Sequence, residues 1–297
     1  MIKKRIKKLR KKFNILNIDG YIVPKNDEFF SEYAAEDRLK KISNFDGSAG
    51  LAIILRKENY LFVDGRYTIQ AQQQSGKDFK IIQIHKFLPS KIIKKLILGY
   101  DPKLFTKRQL NLYFGKSLIL KPINTNLIDE IYNEKIPKTK PFFFLDDKIA
   151  GKSHKYKINK VAKILNKKKA DYLFISAPEN VAWILNIRGY DNPNSPIPNC
   201  RLIVSKNKNL YLIVKKQKII KIIKRKKINK LQFINPNKFT SIIKKLKGNN
   251  FIVDPLSCSI FNENIIKSKF KIIEQNDPCY NLKSIKNSSE IKNMINS

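Results

Sequence analysis

Apolar runs and amphipathic segments alternate along this chain, and the alternation predicts an α/β fold. Ile2–Asn17 has apolar residues at helical spacing, and the short run Gly20–Pro24 that follows is almost wholly apolar. Short apolar runs between helical segments are typical of strands that are buried on both faces of a sheet. Two more apolar runs, Gly50–Leu55 and Tyr60–Val63, are separated by a short polar linker and predict a β-hairpin.

The same order of segments returns about 150 residues later. Three separated anchors keep a nearly constant offset, which indicates an internal repeat. The anchors are Tyr21 with Tyr172 and Tyr60 with Tyr211, both offset by 151 (172 − 21 and 211 − 60), and Asp101 with Asp254, offset by 153 (254 − 101). The sequence therefore predicts two tandem α/β domains, each a mixed β-sheet flanked by helices.

The remaining runs complete both predicted domains. Further helices are predicted at Asp64–Gln74, Pro89–Leu96, Lys155–Lys169, Lys215–Lys224 and Lys238–Lys247. Further strands are predicted at Leu96–Tyr100, Ser117–Leu120, Asp171–Ile175, Arg201–Val204, Leu210–Val214, Asn250–Val253 and Phe270–Ile273.

The boundary between the two domains is expected near Lys135–Asp147, where prolines and charged residues interrupt the periodicity. We therefore predict a first domain at residues 1–137 and a second at residues 138–284. Phe142–Leu145 is either the first strand of the second domain or a strap that packs onto it.

A capped helix is predicted at the C-terminal end of the sequence. Leu282–Lys286 should be extended or turn-like, and the side chain of Asn287 should cap the helix that follows. The apolar stripe of this helix is formed by Ile291, Met294 and Ile295. Residues 285–297 therefore resemble the start of a linker helix that leads to a further domain.

The charge of the chain raises the question of a polyanionic partner. The formal net charge is +37, and a charge of this size can hold nucleic acids non-specifically. However, only nine of the 61 basic residues are arginine, the lysines are dispersed, and no nucleic-acid-binding motif is present. We favour a solvated lysine surface and retain a stand-alone interaction or nucleic-acid-binding module as the alternative.

Cysteine usage and hydropathy favour a cytoplasmic protein. Cys200, Cys258 and Cys279 form no Cys-x-x-Cys pair, which suits a reducing compartment. No apolar run approaches the roughly 20 residues of a membrane span. The basic start is not followed by the apolar segment of a secretory signal. We therefore expect no membrane partner.

Asp64–Tyr67 reads Asp-Gly-Arg-Tyr at the end of a predicted strand. Its structural interpretation is a capped junction, with Asp64 as the cap and Arg66 paired to a carboxylate. Its functional interpretation is an arginine presented to an anionic substrate group.

Asn44–Gly50 is a loop of small residues before a strand. No Lys-Ser/Thr pair ends the loop and no helix follows it, so it lacks the features of a phosphate loop. We expect it to pack closely against another backbone.

Pro178–Gly189 should be a helix that breaks into a strand. It contains the single tryptophan, Trp183, which is expected in the core rather than as a ligand platform. Arg188 precedes Gly189 and the Asn- and Pro-rich loop Tyr190–Asn199, which is long enough to cover a site.

Catalytic signatures are missing from the sequence. The two histidines, His85 and His154, are not accompanied by carboxylates at metal-ligand spacing. No Gly-x-Ser-x-Gly or Cys–His arrangement is present either. We therefore predict no catalytic centre and no metal site in this chain.

Short motifs occur in a fixed order along nearly the whole chain. They are Ser31-Glu32-Tyr33, Asp37-Arg38, Phe45–Gly50, Asp64–Tyr67, Asn126–Tyr132, Trp183–Gly189 with Asp191, and Lys286-Asn287 with Glu290 and Met294. Together they resemble the N-terminal part of the Xaa-Pro aminopeptidases (aminopeptidase P, peptidase family M24) of the three-domain, cytosolic type. The resemblance implies two tandem creatinase-N-like domains.

The resemblance also implies a C-terminal pita-bread catalytic domain that is absent from this chain and binds two divalent metals, usually manganese. The chain itself would bind no cofactor. The complete enzyme would release the N-terminal residue of peptides whose second residue is proline, and would be a homodimer. The two domains would limit access to the substrate and support subunit contacts; a degenerate paralogue kept as a dimer partner is a further alternative.

The residues expected to face the substrate cleft are few. They are Arg188 and Tyr190 in the second domain and Asp46 and Ser48 in the first. Asp64, Arg66, Tyr67 and Trp183 are expected to be structural parts of their motifs.

Overall fold

The computed structural model describes residues 2–31, 34, 36–115, 118–132, 140–225, 228 and 230–297. Glu32 and Tyr33 of the first motif, and residues 135–139 of the predicted domain boundary, lie outside these residues. The chain divides into two compact units, Met1–Pro137 and Lys138–Ser297.

The first unit alternates helices and strands, and it includes two helices, Lys107–Phe114 and Leu127–Ile131, that were not predicted from the sequence. Its helices are α1 (Ile2–Leu16), α2 (Arg38–Ser43), α3 (Thr68–Ser75), α4 (Pro89–Ile92), α5 (Lys107–Phe114) and α6 (Leu127–Ile131), with a 3₁₀ turn at Gly65–Tyr67. Its strands are β1 (Gly20–Pro24), β2 (Gly50–Leu55), β3 (Asn59–Val63), β4 (Lys80–Gln83), β5 (Ile97–Tyr100) and β6 (Ile119–Pro122).

The second unit repeats this arrangement and adds short elements at both ends. Its helices are α7 (Asp147–Ala150), α8 (His154–Lys167), α9 (Pro178–Leu185), α10 (Ile220–Arg225), α11 (Phe239–Lys245), α12 (Ile260–Lys267), α13 (Pro278–Ser284) and α14 (Ser288–Ile295), with 3₁₀ turns at Lys216–Ile219 and Pro236–Lys238. Its strands are β7 (Phe143–Phe144), β8 (Tyr172–Ile175), β9 (Ile187–Arg188), β10 (Arg201–Ser205), β11 (Leu210–Ile213), β12 (Leu231–Ile234), β13 (Asn250–Val253) and β14 (Lys271–Glu274).

The two large sheets have the same topology. In the described residues the strand order is β4-β3-β2-β1-β5-β6 in the first unit and β12-β11-β10-β8-β13-β14 in the second. In both sheets the third strand of this order is antiparallel to its two neighbours, and all other neighbouring strands are parallel. Tyr21 pairs with Ile54 and Tyr172 pairs with Ser205, so this register is conserved under the offset of 151. The predicted mixed α/β fold with an internal repeat is confirmed.

Each sheet buries both faces, as its apolar strands require. In β8, Leu173 and Ile175 join one apolar cluster, whereas Tyr172 and Phe174 join the cluster on the opposite face. Side chains alternate between the faces of a strand, so a continuous apolar run supplies both clusters.

Several predicted element bounds need correction. Strand β12 was not predicted, because Leu231–Ile234 is a short parallel edge strand within a lysine-rich segment. The predicted helix Pro89–Leu96 ends at Ile92, where Ile93 becomes extended. Leu282–Lys286 was predicted to be extended or turn-like, but its first three residues end α13, whose N-terminus is capped by Asp277, and the extended backbone begins at Ile285.

Smaller shifts occur at the edges of the sheets. The predicted strands Ser117–Leu120 and Phe270–Ile273 are displaced to β6 and β14, and Ser117 lies outside the described residues. Exposed edge strands alternate weakly, so their ends are the least defined by sequence. Phe142–Leu145 supplies β7, which pairs with β9 within the second unit.

Membrane insertion finds no support in the helices. Within the described ranges, none is both long and apolar enough to cross a bilayer.

Candidate functional site

Asp64 caps the 3₁₀ turn at Gly65–Tyr67. Its Oδ1 accepts hydrogen bonds from the backbone N of Arg66 and from the Nε of the same arginine, both at 2.9 Å. These hydrogen bonds lower the pKa of the Asp64 carboxyl. The Arg66 guanidinium also lies 5.5 Å from the centroid of the Tyr67 ring. The motif thus forms a capped strand-to-helix junction, and its arginine is engaged within the motif.

Asp46 fastens the small-residue loop to helix α3. Its Oδ1 accepts hydrogen bonds of 2.7 Å from the Nε2 atoms of both Gln70 and Gln74. The Nζ of Lys40 lies 3.3 Å from the Oδ2 of Asp46. The hydrogen bond from Gln74 is the main cause that lowers the pKa of Asp46. The carboxylate is therefore held by its own unit.

A contact between Ser48 and Tyr67 joins the Asn44–Gly50 loop to the Asp64–Tyr67 motif. The Ser48 Oγ and the Tyr67 Oη are 2.8 Å apart. The loop contacts another backbone at Gly50, whose carbonyl accepts a hydrogen bond from the backbone N of Lys25 at 3.0 Å, whereas Gly47 packs against side chains. A Cβ on Gly47 would lie 2.3 Å from the ring of Phe45 and 3.0 Å from that of Tyr67, so aromatic rings exclude a side chain there.

Trp183 packs against the core of the second unit, with a buried lysine on its ring. The Nζ of Lys157 lies 4.6 Å from the ring centroid and donates to the Trp183 carbonyl at 3.0 Å. It also donates to the Oδ1 of Asn186 at 2.6 Å. Asn186 has left-handed backbone geometry and ends helix α9, so Lys157 fixes the transition from α9 to β9.

Burial dominates the electrostatics of Lys157, which is only 3% exposed. Desolvation of the ammonium lowers its pKa to about 8. The charge of Glu290 raises this pKa, the charge of Arg188 lowers it, and Asp147 raises it more weakly. The sequence contained a signal for this residue, because Lys157 precedes Val161 and Leu165 at intervals of four on the apolar face of α8.

Replacing Lys157 by methionine should alter how stability depends on pH. In the native protein Lys157 loses its proton near pH 8, whereas in the unfolded chain it keeps it to about pH 10.5. The unfolded state binds more protons between these values, so Lys157 makes the free energy of unfolding rise with pH there. Between pH 7 and pH 10 we expect the free energy of unfolding of the wild type to rise by about 2 kcal/mol more than that of the variant.

Urea unfolding followed by the fluorescence of Trp183 at both pH values measures this difference. Lys160→Met, on the exposed side of the same helix, is the matched control and should leave the pH dependence unchanged. An equal pH dependence in the wild type and Lys157→Met would contradict the assignment.

Arg188 is anchored to its own unit by one nitrogen. Its Nη1 donates to the carbonyls of Ala182 at 3.2 Å and Ile187 at 2.9 Å. Among the described residues, no carboxylate lies within ion-pair distance of its guanidinium. Burial lowers the pKa of Arg188, and the more distant Glu290 opposes that effect.

The loop after Arg188 presents an aromatic ring to solvent. Tyr190 is 60% exposed, and its ring centroid lies 5.3 Å from that of Phe143. The Nζ of Lys140 lies 5.5 Å from the Tyr190 centroid.

A buried ion pair holds the same loop from inside. Asp191 Oδ1 accepts a 2.7 Å hydrogen bond from the Nζ of Lys218, and both side chains are nearly buried. The other oxygen of Asp191 accepts from the backbone N of Asn199 at 2.7 Å. Lys218 was not recognised from the sequence, because it lies within a run of lysines that are mostly exposed.

The predicted residues thus form two groups, each within its own unit. Asp46, Ser48 and the Asp64–Tyr67 motif lie together in the first, and Arg188 and Tyr190 lie together in the second. The structure leaves their role toward a substrate a prediction. His85 is exposed and packs beside Gly65.

Metal-binding geometry is not found in the described ranges. No group of three or more His, Cys, Asp or Glu side chains there could hold a metal ion. The three cysteines are free and buried, and burial raises their thiol pKa values.

Both halves of the chain match one kind of domain. Residues 5–118 and residues 133–290 match family models described as the creatinase/prolidase N-terminal domain. The chain is 30% identical to Xaa-Pro aminopeptidase 1 of Dictyostelium discoideum, over 99% of this chain and 51% of that protein. It is 32% identical to the Xaa-Pro aminopeptidase ApepP of Drosophila melanogaster, over 94% of this chain and 49% of that protein.

A solved structure has the same fold as the whole chain. It is the X-prolyl aminopeptidase of Caenorhabditis elegans, described as a cytosolic enzyme with a dinuclear active site. The TM-score is 0.89 at 23% identity, and the match covers all of this chain and 53% of that one. The chain spans about half the length of the curated relatives it matches.

Proposed function

The chain belongs to the creatinase/prolidase N-terminal domain family and corresponds to the N-terminal portion of M24 Xaa-Pro aminopeptidases, and from this premise we propose what its two domains do. They serve as the non-catalytic part of a cytoplasmic, homodimeric enzyme that releases the N-terminal residue of peptides with proline in second place. Their task is to restrict access of peptides to the catalytic centre and to support subunit contacts.

One observation carries this proposal: both units align in order with a single kind of protein. The match to the Dictyostelium relative covers 99% of this chain, and both the Dictyostelium and the Drosophila relatives are named as Xaa-Pro aminopeptidases. A lysine-rich binding module would not need this two-domain match, so the dispersed charge is better explained as solvated surface.

The described residues do not fit a dinuclear metal centre, and we assign no metal-dependent step to them. Their buried carboxylates are already engaged. Asp277, for example, accepts hydrogen bonds from Asn180 at 2.7 Å and from the backbone of Cys279 at 2.9 Å. We place the two divalent metals, expected to be manganese, on the half of the relatives that lies beyond this match.

A chimera tests the proposed function. The matched half of the Dictyostelium enzyme is replaced by residues 1–297 of this chain, and release of alanine from Ala-Pro-Ala is measured with manganese present. We expect the chimera to hydrolyse the peptide and the 297-residue chain alone to be inactive. Release by the chain alone, or a folded but inactive chimera beside an active parent, would refute the proposal.

The alternative function has its own readout. Binding of the 297-residue chain to duplex DNA is titrated with salt. We expect no binding at physiological salt, and specific binding that persists there would favour the interaction module instead.

A further inference from the structure

The small sheet β7–β9 has an inner and an outer face. Phe144 pairs with Ile187, and both join the core of the second unit. Phe143 pairs with Arg188 in the next register position. Because successive side chains of a strand point to opposite faces, and directly paired residues share a face, Phe143 and Arg188 leave the sheet on its outer side.

One of the three guanidinium nitrogens of Arg188, Nη1, has hydrogen-bond acceptors within the described ranges, and the other two are available to a ligand. Nη1 is fixed by two carbonyl groups, at 3.2 and 2.9 Å. In the part of the chain that the structure describes, no residue accepts a hydrogen bond from Nε or Nη2. These two N–H groups form the parallel fork that binds a carboxylate in bidentate fashion.

The local charge favours an anion at this fork. Lys157 is a second buried cation close enough for the charge of Arg188 to lower its pKa. Glu290, which raises the pKa of both, is engaged by the backbone N of Asn287 at 2.9 Å. Two desolvated cations without a contacting carboxylate are costly, and a bound carboxylate would offset that cost.

An apolar surface lies beside the fork. The rings of Phe143 and Tyr190 are 5.3 Å apart at an interplanar angle of 31°. Phe143 shares the outer face with Arg188, and Tyr190 is largely exposed. Proline-containing peptides dock onto exposed aromatic rings of this kind.

The segment that carries these groups is held firmly. A Cβ on Gly189 would lie 2.9 Å from the ring of Phe142 and 2.9 Å from the Cα of Pro198. The backbone between Arg188 and Tyr190 is therefore packed on both sides. A pre-organised site of this type loses little entropy when a ligand binds.

We propose that the outer face of the β7–β9 sheet binds short proline-containing peptides, with the Arg188 fork on the free C-terminal carboxylate and the Phe143–Tyr190 rings on the pyrrolidine ring. This inference rests on the proposed function for the class of ligand. It gives the two domains a preference for short peptides with a free C-terminus.

Calorimetry on the 297-residue chain tests the site without catalysis. Ala-Pro-Ala is compared with its C-terminal amide and with Ala-Pro-Glu in which the terminus alone is amidated. We expect the free acid to bind about tenfold more tightly than both amides, since a bidentate charge-assisted contact is lost in them. Arg188→Gln should remove that difference, and Arg188→Lys should restore part of it.

The aromatic pair and a control complete the test. Tyr190→Ala should weaken the binding of the free acid and of the amide by the same factor. Arg56→Gln, at an exposed arginine of the first unit, should change neither of these two affinities. Equal affinity of acid and amide in the wild type would overturn the inference. Equal affinity of the acid and the Glu-containing amide would overturn the assignment to the C-terminus.

The chimera separates this inference from the proposed function. If the chimera is active, Arg188→Gln should raise KM for Ala-Pro-Ala about tenfold and leave kcat and the KM of the amide unchanged. An active chimera with no change in KM contradicts the peptide site alone. An inactive chimera contradicts the proposed function, while the calorimetry still decides the site.

Discussion

Replacing Lys218 by methionine should destabilise the second unit by about 3–5 kcal/mol. The Nζ of Lys218 is the ionic partner of Asp191, at 2.7 Å, and the two side chains are 11% and 10% exposed. The substitution leaves the Asp191 carboxylate buried, and among the described residues the backbone N of Asn199 is then its one remaining hydrogen-bond donor. An uncompensated buried charge is far more costly than the pair itself is stabilising.

The measurement is urea unfolding followed by tryptophan fluorescence, which reports on the second unit because Trp183 is the single tryptophan. Lys206→Met is the matched control. Lys206 pairs with Asp171 at 2.8 Å but is 44% exposed, and its loss should cost under about 1 kcal/mol. Adding Asp191→Asn to Lys218→Met should recover part of the loss. Equal losses in Lys218→Met and Lys206→Met would refute the role of the buried pair.

The architecture could be predicted because it depends on patterns that repeat. The offset of 151 between Tyr21 and Tyr172 gave the second sheet from the first, and the hydrogen-bonded register follows the same offset at Ile54 and Ser205. The apolar strands of four to six residues could be predicted because they are buried on both faces of their sheet, which is typical of this fold class. The domain limits at 137 and 284 remain predictions.

The elements that sequence reasoning missed depend on tertiary neighbours. Leu231–Ile234 becomes a strand because β11 offers a parallel edge, which its own lysine-rich surroundings do not reveal. Leu282 is helical because Asp277 caps a helix that begins with the buried Pro278. Neither partner can be identified from local propensity alone.

The candidate site was predicted in part, and for a physical reason. Arg188 and Tyr190 stood out by their motif and loop. Lys218 did not, since a lysine within a lysine-rich run has no distinguishing signal, and Lys157 was missed although it shares the apolar face of α8 with Val161 and Leu165. Which lysine is buried depends on the carbonyl, amide or carboxylate oxygen that the fold brings to it, 26 to 29 residues away in these cases.

Replacing Phe142 by alanine should cost the second unit about 3–5 kcal/mol. The side chain is fully buried in the core of this unit, so truncation leaves a cavity. Its backbone N donates to the carbonyl of Lys218 at 2.6 Å, which limits how far the strap can collapse to fill the space. Leu256→Ala, at a side chain that is 45% exposed, is the control and should change stability by under about 0.5 kcal/mol.

A double-mutant cycle with Gly189→Ala shows whether Phe142 also positions Arg188. Alone, Gly189→Ala should cost about 1–3 kcal/mol, because the new Cβ would lie 2.9 Å from both the Phe142 ring and the Cα of Pro198. In Phe142→Ala the ring is gone and only the backbone contact remains, so the second substitution should cost less. Strict additivity of the two free energies would mean that the ring does not hold the segment between Arg188 and Tyr190.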